Sequence, residues 1–264
     1  MSSSGLKQMQ SHKQPTRTQR QMCYNVQFME KRAQKYEDRF KAVLPANQET
    51  HVLNGELPRY YFVSGFSHPQ LPIVKHDGIF LFEWGLIPAW IKDPAGAAEI
   101  QNKTLNAVGE TVFEKPSFKK SIASQRCLLG VSGFYEWRDF QKAKYPHLIQ
   151  VKDQDIFSLG CIYETWVDKS TGELRNTFSI LTTPANPMME KIHNLKKRMP
   201  LILKPEDEQK WIEPGLSKAE IEALIKPFDE AEMRAFTVSK EVNNARFDRN
   251  TEQAIERVDY PELT

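Results

Sequence analysis

The sequence predicts an α+β fold in a single domain, built on a mainly antiparallel, barrel-like β-sheet with flanking helices. Two observations carry this. Strand and helix signals do not alternate along the chain as βαβ units would require. And four stretches, Cys127–Trp137, His147–Val151, Ile156–Tyr163 and Thr177–Thr182, follow one another with only polar or Gly-containing turns between them, the spacing of hairpin-connected strands. No repeat and no linker reads out after residue 22. The expected organisation is a polar leader (1–21), one domain (22–243) and a polar tail (244–264).

Taken in order, the leader MSSSGLKQMQSHKQPTRTQRQ is rich in Ser and Gln and almost without apolar residues, so it cannot fold alone. It reads as a disordered leader or as a start assigned too early. Tyr24, Val26 and Phe28 then alternate as a half-buried strand does. Ala33, Tyr36, Phe40, Val43 and Leu44 recur at helical spacing up to Pro45. Residues 45–78 hold Pro58, Gly65, Pro69, Pro72 and Gly78 and read as loops with short extended pieces. Ile79–Trp84 is a buried strand, Gly85–Trp90 a turn, and 92–104 a polar loop leading to Leu105-Asn106-Ala107. Ser117 is placed to cap a short helix through Gln125. After the β-rich middle, Asn186-Pro187 has the cap-then-proline pattern of a helix start that runs out near His193. Leu201-Ile202-Leu203 is a strand, Pro205–Glu213 and Ser217–Lys226 are helices, the second opening with a Ser217…Glu220 capping box, and Ala235–Ser239 is a last strand.

Composition excludes several function classes. Three cysteines (Cys23, Cys127, Cys161) stand far apart with no paired spacing, which argues for a reducing compartment and against a disulfide framework or a zinc site. The six histidines are scattered too, so neither a metal nor another cofactor is expected. No apolar run approaches a membrane span, and no signal peptide opens the chain. The net charge of +2 misleads: the leader carries four basic residues and no acid, leaving 32 basic against 34 acidic groups in the rest. Any nucleic-acid site must be a local patch.

Candidate chemistry gathers at a few positions. Cys23 directly follows Met22. Once exposed as the N-terminal residue it offers an α-amine and a thiol on adjacent carbons, so one aldehyde can form an imine with the nitrogen and a five-membered thiazolidine with the sulfur. Glu136, in Gly133-Phe134-Tyr135-Glu136-Trp137, is either a partly desolvated carboxylate suited to proton transfer or a surface acid beside Arg138. His193 sits at a predicted helix C-terminus, where an imidazole can serve as an acid, and Lys196, Lys197 and Arg198 can neutralise phosphates; the bland alternative is a solvated turn. Asn106 can orient an amine or hold a phosphate oxygen, or simply cap a turn. Trp84, Trp90 and Trp137 can stack on bases or fill the core.

Met22-Cys23, Trp84-Gly85-Leu86-Ile87-Pro88-Ala89-Trp90, Leu105-Asn106-Ala107-Val108-Gly109-Glu110-Thr111, Gly133-Phe134-Tyr135-Glu136-Trp137 and Ile192-His193…Arg198-Met199-Pro200 occur in that order. The set resembles the SOS-response-associated peptidase family, also called abasic-site-processing proteins, from about Met22 to Asn243. The resemblance implies a DNA-repair protein that captures abasic sites in single-stranded DNA as a thiazolidine crosslink through N-terminal Cys23. Asn106 would orient the reacting amine and sugar-phosphate, Glu136 would shuttle protons, and His193 would assist at the sugar oxygen. Trp84, Lys196, Lys197 and Arg198 would line the DNA channel. Autoproteolysis between Met22 and Cys23 would expose the nucleophile. The same resemblance implies no cofactor, no metal, no membrane, a monomer, and a cytoplasmic, nucleoid-associated location. The sequence departs from the family pattern at Val108 and Asn25, where arginine is usual, and in a stretch before Pro200 two residues longer than in the shortest members. Lys115, Lys119, Lys120 and Arg126 are the candidates to compensate.

Two further functions fit the residues: a cysteine hydrolase using Cys23, His193 and Asn106 with the leader as propeptide, and a non-catalytic binder of single-stranded or modified DNA. Retention or loss of residues 1–22 in the native protein separates the binder from the other two.

Overall fold

The computed structural model describes residues 24–45, 56–244 and 246–263. The leader and the Met22-Cys23 pair lie outside the described residues. The chain forms, in order, β1 (Asn25–Phe28), α1 (Ala33–Phe40), β2 (Tyr60–Ser64), β3 (Gln70–Lys75), β4 (Gly78–Trp84), α2 (Pro94–Gln101), β5 (Asn106–Val108), α3 (Lys119–Ser124), β6 (Arg126–Val131), β7 (Gly133–Phe140), β8 (Ala143–Val151), β9 (Phe157–Val167), β10 (Leu174–Pro184), α4 (Pro187–Ile192), β11 (Arg198–Pro200), β12 (Ile202–Leu203), α5 (Pro205–Ile212), α6 (Lys218–Leu224) and β13 (Met233–Thr237).

Five strands close on themselves. β4 pairs with β3, β3 with β6, β6 with β9, β9 with β10, and β10 returns to β4. Only the β4–β10 contact in this ring is parallel. Alternate residues of all five strands point inward: Leu71 and Ile73, Phe82 and Trp84, Cys127 and Leu129, Leu159 and Cys161, Phe178 and Ile180, all buried in one cluster. A barrel this small has no lumen and is filled by side chains. Each such aliphatic or aromatic residue contributes on the order of 1.5–3 kcal/mol by leaving water. Cys127 and Cys161 face each other across β6–β9 as free thiols, and burial, then the hydrogen bond to Cys161, pushes the Cys127 thiol well up.

The second sheet runs β13-β8-β7-β1-β2 and is antiparallel throughout. Its inner face, with Val26, Phe134, Ile149 and Met233, joins the barrel cluster. Its outer face packs Tyr135 and Leu148 under Val238, Val242 and Ala254, so residues of the C-terminal stretch cover it. The predicted α+β single domain with a mainly antiparallel, barrel-like sheet is therefore the observed one.

Three local readings change. The helix predicted through Leu44 ends at Phe40, because Lys41 turns left-handed at φ 50° and closes the cap. Residues 45–78 contain two full strands, β2 and β3, and the polar stretch 92–104 contains α2, started by Asp93, whose side chain accepts from the Gly96 amide. The stretch read as one strand over Cys127–Trp137 breaks at Ser132, where the chain leaves the barrel for the second sheet. Gly133 is required at that crossing: a Cβ there would lie 2.8 Å from the Leu148 side chain and 3.1 Å from the Ile149 carbonyl. The Ser217–Glu220 capping box forms as predicted, and Asn186 accepts from the Met189 amide at 2.8 Å. Ser117 does not cap α3; Phe118 occupies that place with no side-chain bond.

Candidate active site at the seam of the two sheets

Glu136 follows Phe134 by two residues on β7, so it faces the same inner side of the sheet. It is 2% exposed, which decides between the two sequence readings: the carboxylate is buried rather than paired at the surface with Arg138. His193 terminates α4, its amide donating to the Met189 carbonyl at 2.7 Å, and is 4% exposed. Its Nε2 lies 3.7 Å from Glu136 Oε2. Its Nδ1 lies 2.9 Å from the Arg198 carbonyl. A carbonyl can only accept, so Nδ1 carries a proton, and Nε2, on the side of the glutamate, is the nitrogen left to gain or lose one.

Asn106 is 5% exposed at the start of β5, which runs parallel to β10 with Asn106 opposite Ile180. β5 and β11 both pair with the end of β10: Thr182 is opposite Val108 on one side and Pro200 on the other. Asn106 and the His193–Arg198 turn are thus carried by neighbours of one strand.

Of the residues expected to meet DNA, Trp84 does not reach the surface. It is 0% exposed, stacks on Phe178 inside the barrel with ring centroids 6.1 Å apart, and donates its indole N–H to the Leu105 carbonyl. Strand alternation, unreadable without the register, put it inside. Trp90, six residues on, is 56% exposed beside Pro116. The Arg198 guanidinium is bound to the Glu110 carboxylate and donates to the Thr182 carbonyl at 2.7 Å. That pairing holds the Glu110 carboxyl below the usual carboxylate range. Lys196 and Lys197 are exposed. Among the compensating candidates, Arg126 is buried and spent on the carbonyls of Trp211, Ile122, Ala123 and Glu213, and Lys120 pairs with the buried Glu164 at 3.4 Å.

Two residues at the seam were not singled out from sequence. His147 stands directly opposite Glu136 in the β7–β8 register, is buried, and donates Nδ1–H to the Tyr145 carbonyl at 2.9 Å. Burial, ahead of any other influence, lowers its pKa. Asn194 donates its amide to the Asp139 carbonyl at 2.8 Å and accepts from the Asp139 amide at 3.1 Å. Neither is visible in a sequence, because both depend on which strands lie side by side. Among the described residues no group of three or more His, Cys, Asp or Glu is placed to hold a metal ion, and no helix is long and apolar enough to cross a membrane.

Comparison with known proteins finds relatives over most of the chain. Abasic site processing protein YoqW of Bacillus subtilis is 38% identical over 175 residues, covering 66% of this chain and 74% of its own. Abasic site processing protein HMCES of Xenopus tropicalis is 30% identical over 183 residues, covering 62% of this chain and 53% of its own. A crystal structure of a protein from Bacteroides thetaiotaomicron superposes with a TM-score of 0.84 at 40% identity, covering 89% of this chain and all of that one. The sequence profile of the SOS response associated peptidase (SRAP) family matches residues 9–245, and the chain belongs to that family.

Proposed function

We propose that this protein captures abasic sites in single-stranded DNA as a covalent thiazolidine on Cys23, after self-cleavage or an aminopeptidase removes residues 1–22. The observation that carries the reading is the buried Glu136–His193 pair, with Oε2 and Nε2 3.7 Å apart. β1 pairs with β7 at Val26–Phe134 and Gln27–Gly133, so the chain enters β1 beside the strand that bears Glu136. The Tyr24 carbonyl is pinned by the Gly65 amide at 2.7 Å. Cys23 is bonded to Tyr24, with Cα atoms about 3.8 Å apart by covalent geometry alone. On this reading the two adjacent nucleophiles of Cys23 are served by that carboxylate and its imidazole partner. The relatives named as abasic site processing proteins support the substrate.

The chemistry asks for proton movement at each step. Opening the sugar hemiacetal needs a proton delivered to the ring oxygen and one removed from the hydroxyl. The Cys23 amine adds to the aldehyde carbon, and loss of water from the carbinolamine leaves an imine. The thiol then adds to the imine carbon, its proton passing to nitrogen, and the ring closes with no net redox change. Glu136 and His193, with Oε2 and Nε2 3.7 Å apart, give and take the protons these steps exchange. An α-amine near ~8 and a thiol near ~8.5 need no extreme tuning at neutral pH. Asn106 orients the amine and sugar-phosphate. Lys196 and Lys197 meet backbone phosphates, and Trp90 takes the stacking role expected of Trp84. An unpaired strand adds no duplex-opening cost. On this reading the protein works as a monomer in the cytoplasm, at the nucleoid.

The test is a heat-stable shifted band on an oligonucleotide with one abasic site. It forms with wild type whose mass shows loss of residues 1–22, and vanishes in Cys23→Ala and after chemical blocking of the N-terminus. A trimmed protein that cleaves amides but forms no band would make it a cysteine hydrolase. Retention of residues 1–22 with reversible DNA binding would make it a plain binder.

A further inference from the structure

We infer that Asn194 is a positioning residue that sets the Glu136–His193 separation. This rests on the function proposed above and adds a member to its machinery. β7 pairs with β1 only at Gly133 and Phe134, whereas its β8 pairing runs on to Phe140. Beyond Phe134 the other edge of β7 carries no strand among the described residues, and there Asn194 supplies both a donor and an acceptor to the backbone of Asp139. One side-chain amide thus does the work of a strand partner.

The connection closes a circuit. Glu136 and Asp139 are three residues apart on one strand, about 10 Å of rigid backbone. Asn194 ties Asp139 to the turn, and His193 is its covalent neighbour. From the other side, the Lys196 and Lys197 amides both donate to the His193 carbonyl, at 3.3 and 2.8 Å, and Lys197 sits in the left-handed region at φ 51°. The Arg198 carbonyl fixes the ring rotation through Nδ1 at 2.9 Å. The Lys197 carbonyl accepts from the Ala185 amide at 3.0 Å, anchoring the far end of the turn to the strand that carries β5 and β11. Every link but one is backbone held by backbone or a ring held by a carbonyl. The two Asn194 bonds tie the turn to the strand bearing Glu136 by hydrogen bonding, beside the apolar packing of Met189 and Ile192 of α4 in the cluster that holds Phe134. Without those bonds the imidazole keeps its rotation but loses its distance from the carboxylate.

The test uses the full chain with Asn194→Ala, which deletes both bonds, and Asn194→Asp, which keeps an acceptor for the Asp139 amide and sets an oxygen against the Asp139 carbonyl. The crosslinking rate is measured at saturating abasic single-stranded DNA, and affinity with an oligonucleotide carrying a non-reactive tetrahydrofuran site. The expected result is a rate about tenfold lower in both variants, below the ~100-fold that a 1 Å misplacement can cost, with affinity within twofold of wild type. The His193 ring resonance, assigned by its loss in His193→Gln, should move in chemical shift in both variants. Wild-type rate and an unmoved His193 resonance in two folded variants would overturn the inference, as would a loss confined to affinity. If the wild-type protein forms no crosslink, the function proposed above fails instead, and the His193 resonance alone still decides whether Asn194 sets the pair.

Discussion

Glu136 is a carboxylate in a place that only an antiparallel register can create, opposite His147 and 3.7 Å from His193. Its sequence context favoured a surface acid beside Arg138 over a buried one, and its 2% exposure reverses that. Replacing it by Gln keeps shape and removes the exchangeable charge. Glu136→Gln should slow crosslink formation by about 100-fold or more, the scale of a general acid–base contribution, with unchanged affinity for tetrahydrofuran DNA; normal single-turnover kinetics would remove the residue from the mechanism. His147 makes a separate statement about pH. Burial lowers its pKa in the folded protein from 6.5, so below about pH 6.5 the unfolded chain binds more protons than the folded one. Folding stability should therefore be full above that pH and fall as pH drops below it. Urea unfolding from pH 7.5 to 5.5 should show that fall, and His147→Gln should flatten it.

At the scale of elements, legibility followed the kind of signal. α6 and α4 were readable because a capping box and an Asn-Pro start are local chemistry, satisfied by the residues that announce them. β9 and β10 were readable as apolar runs, though the strands extend beyond the runs. β3 was hidden by Pro72, a residue that normally argues against a central strand. Pro72 is tolerated because β6 pairs only with Ile73 and Val74, leaving its stretch of β3 bonded on one side; its carbonyl accepts instead from the Tyr36 hydroxyl at 3.0 Å. α2 was hidden because PAGAAEIQ has little apolar periodicity. The site split the same way: Glu136, His193 and Asn106 came from motifs, while Asn194 and His147 came from strand neighbours. One tie between elements is strong enough to measure. Glu208 on α5, 4% exposed, accepts both guanidinium arms of Arg39 on α1, at 2.8 and 2.7 Å, and the Ser158 hydroxyl of β9 at 2.6 Å. Glu208→Ala strands all three donors, and should cost about 3 kcal/mol in urea unfolding, the low end for a broken buried pair because Arg39 keeps some contact with water. A loss under about 1 kcal/mol would mean that the three elements are held by apolar packing alone.

For the molecule as a whole, the proposed function raises the question of how a chain that is net acidic outside its leader would hold a polyanion. Outside the first 21 residues acids outnumber bases, and several cations are already consumed inside the fold: Arg126 by four carbonyls, Arg198 by Glu110, Arg39 by Glu208, Arg175 by Glu83. On the proposed function attraction comes from a few exposed lysines near the seam rather than from a global field; Lys196 and Lys197 lie in the turn that carries His193, Lys197 with its ammonium 3.7 Å from Glu190 at the surface. Binding of single-stranded DNA then releases few counterions, and the slope of log Kd against log salt should be shallow. Each phosphate-contacting lysine adds about 0.7 to that slope. Lys196→Gln and Lys197→Gln should each lower it by that amount without changing the crosslinking rate at saturation. Arg126→Gln is the control: it should weaken folding, since four carbonyls lose their donor, yet leave the slope where it was. If the two lysine variants bind with the wild-type salt dependence, the DNA path runs over a different face of the barrel.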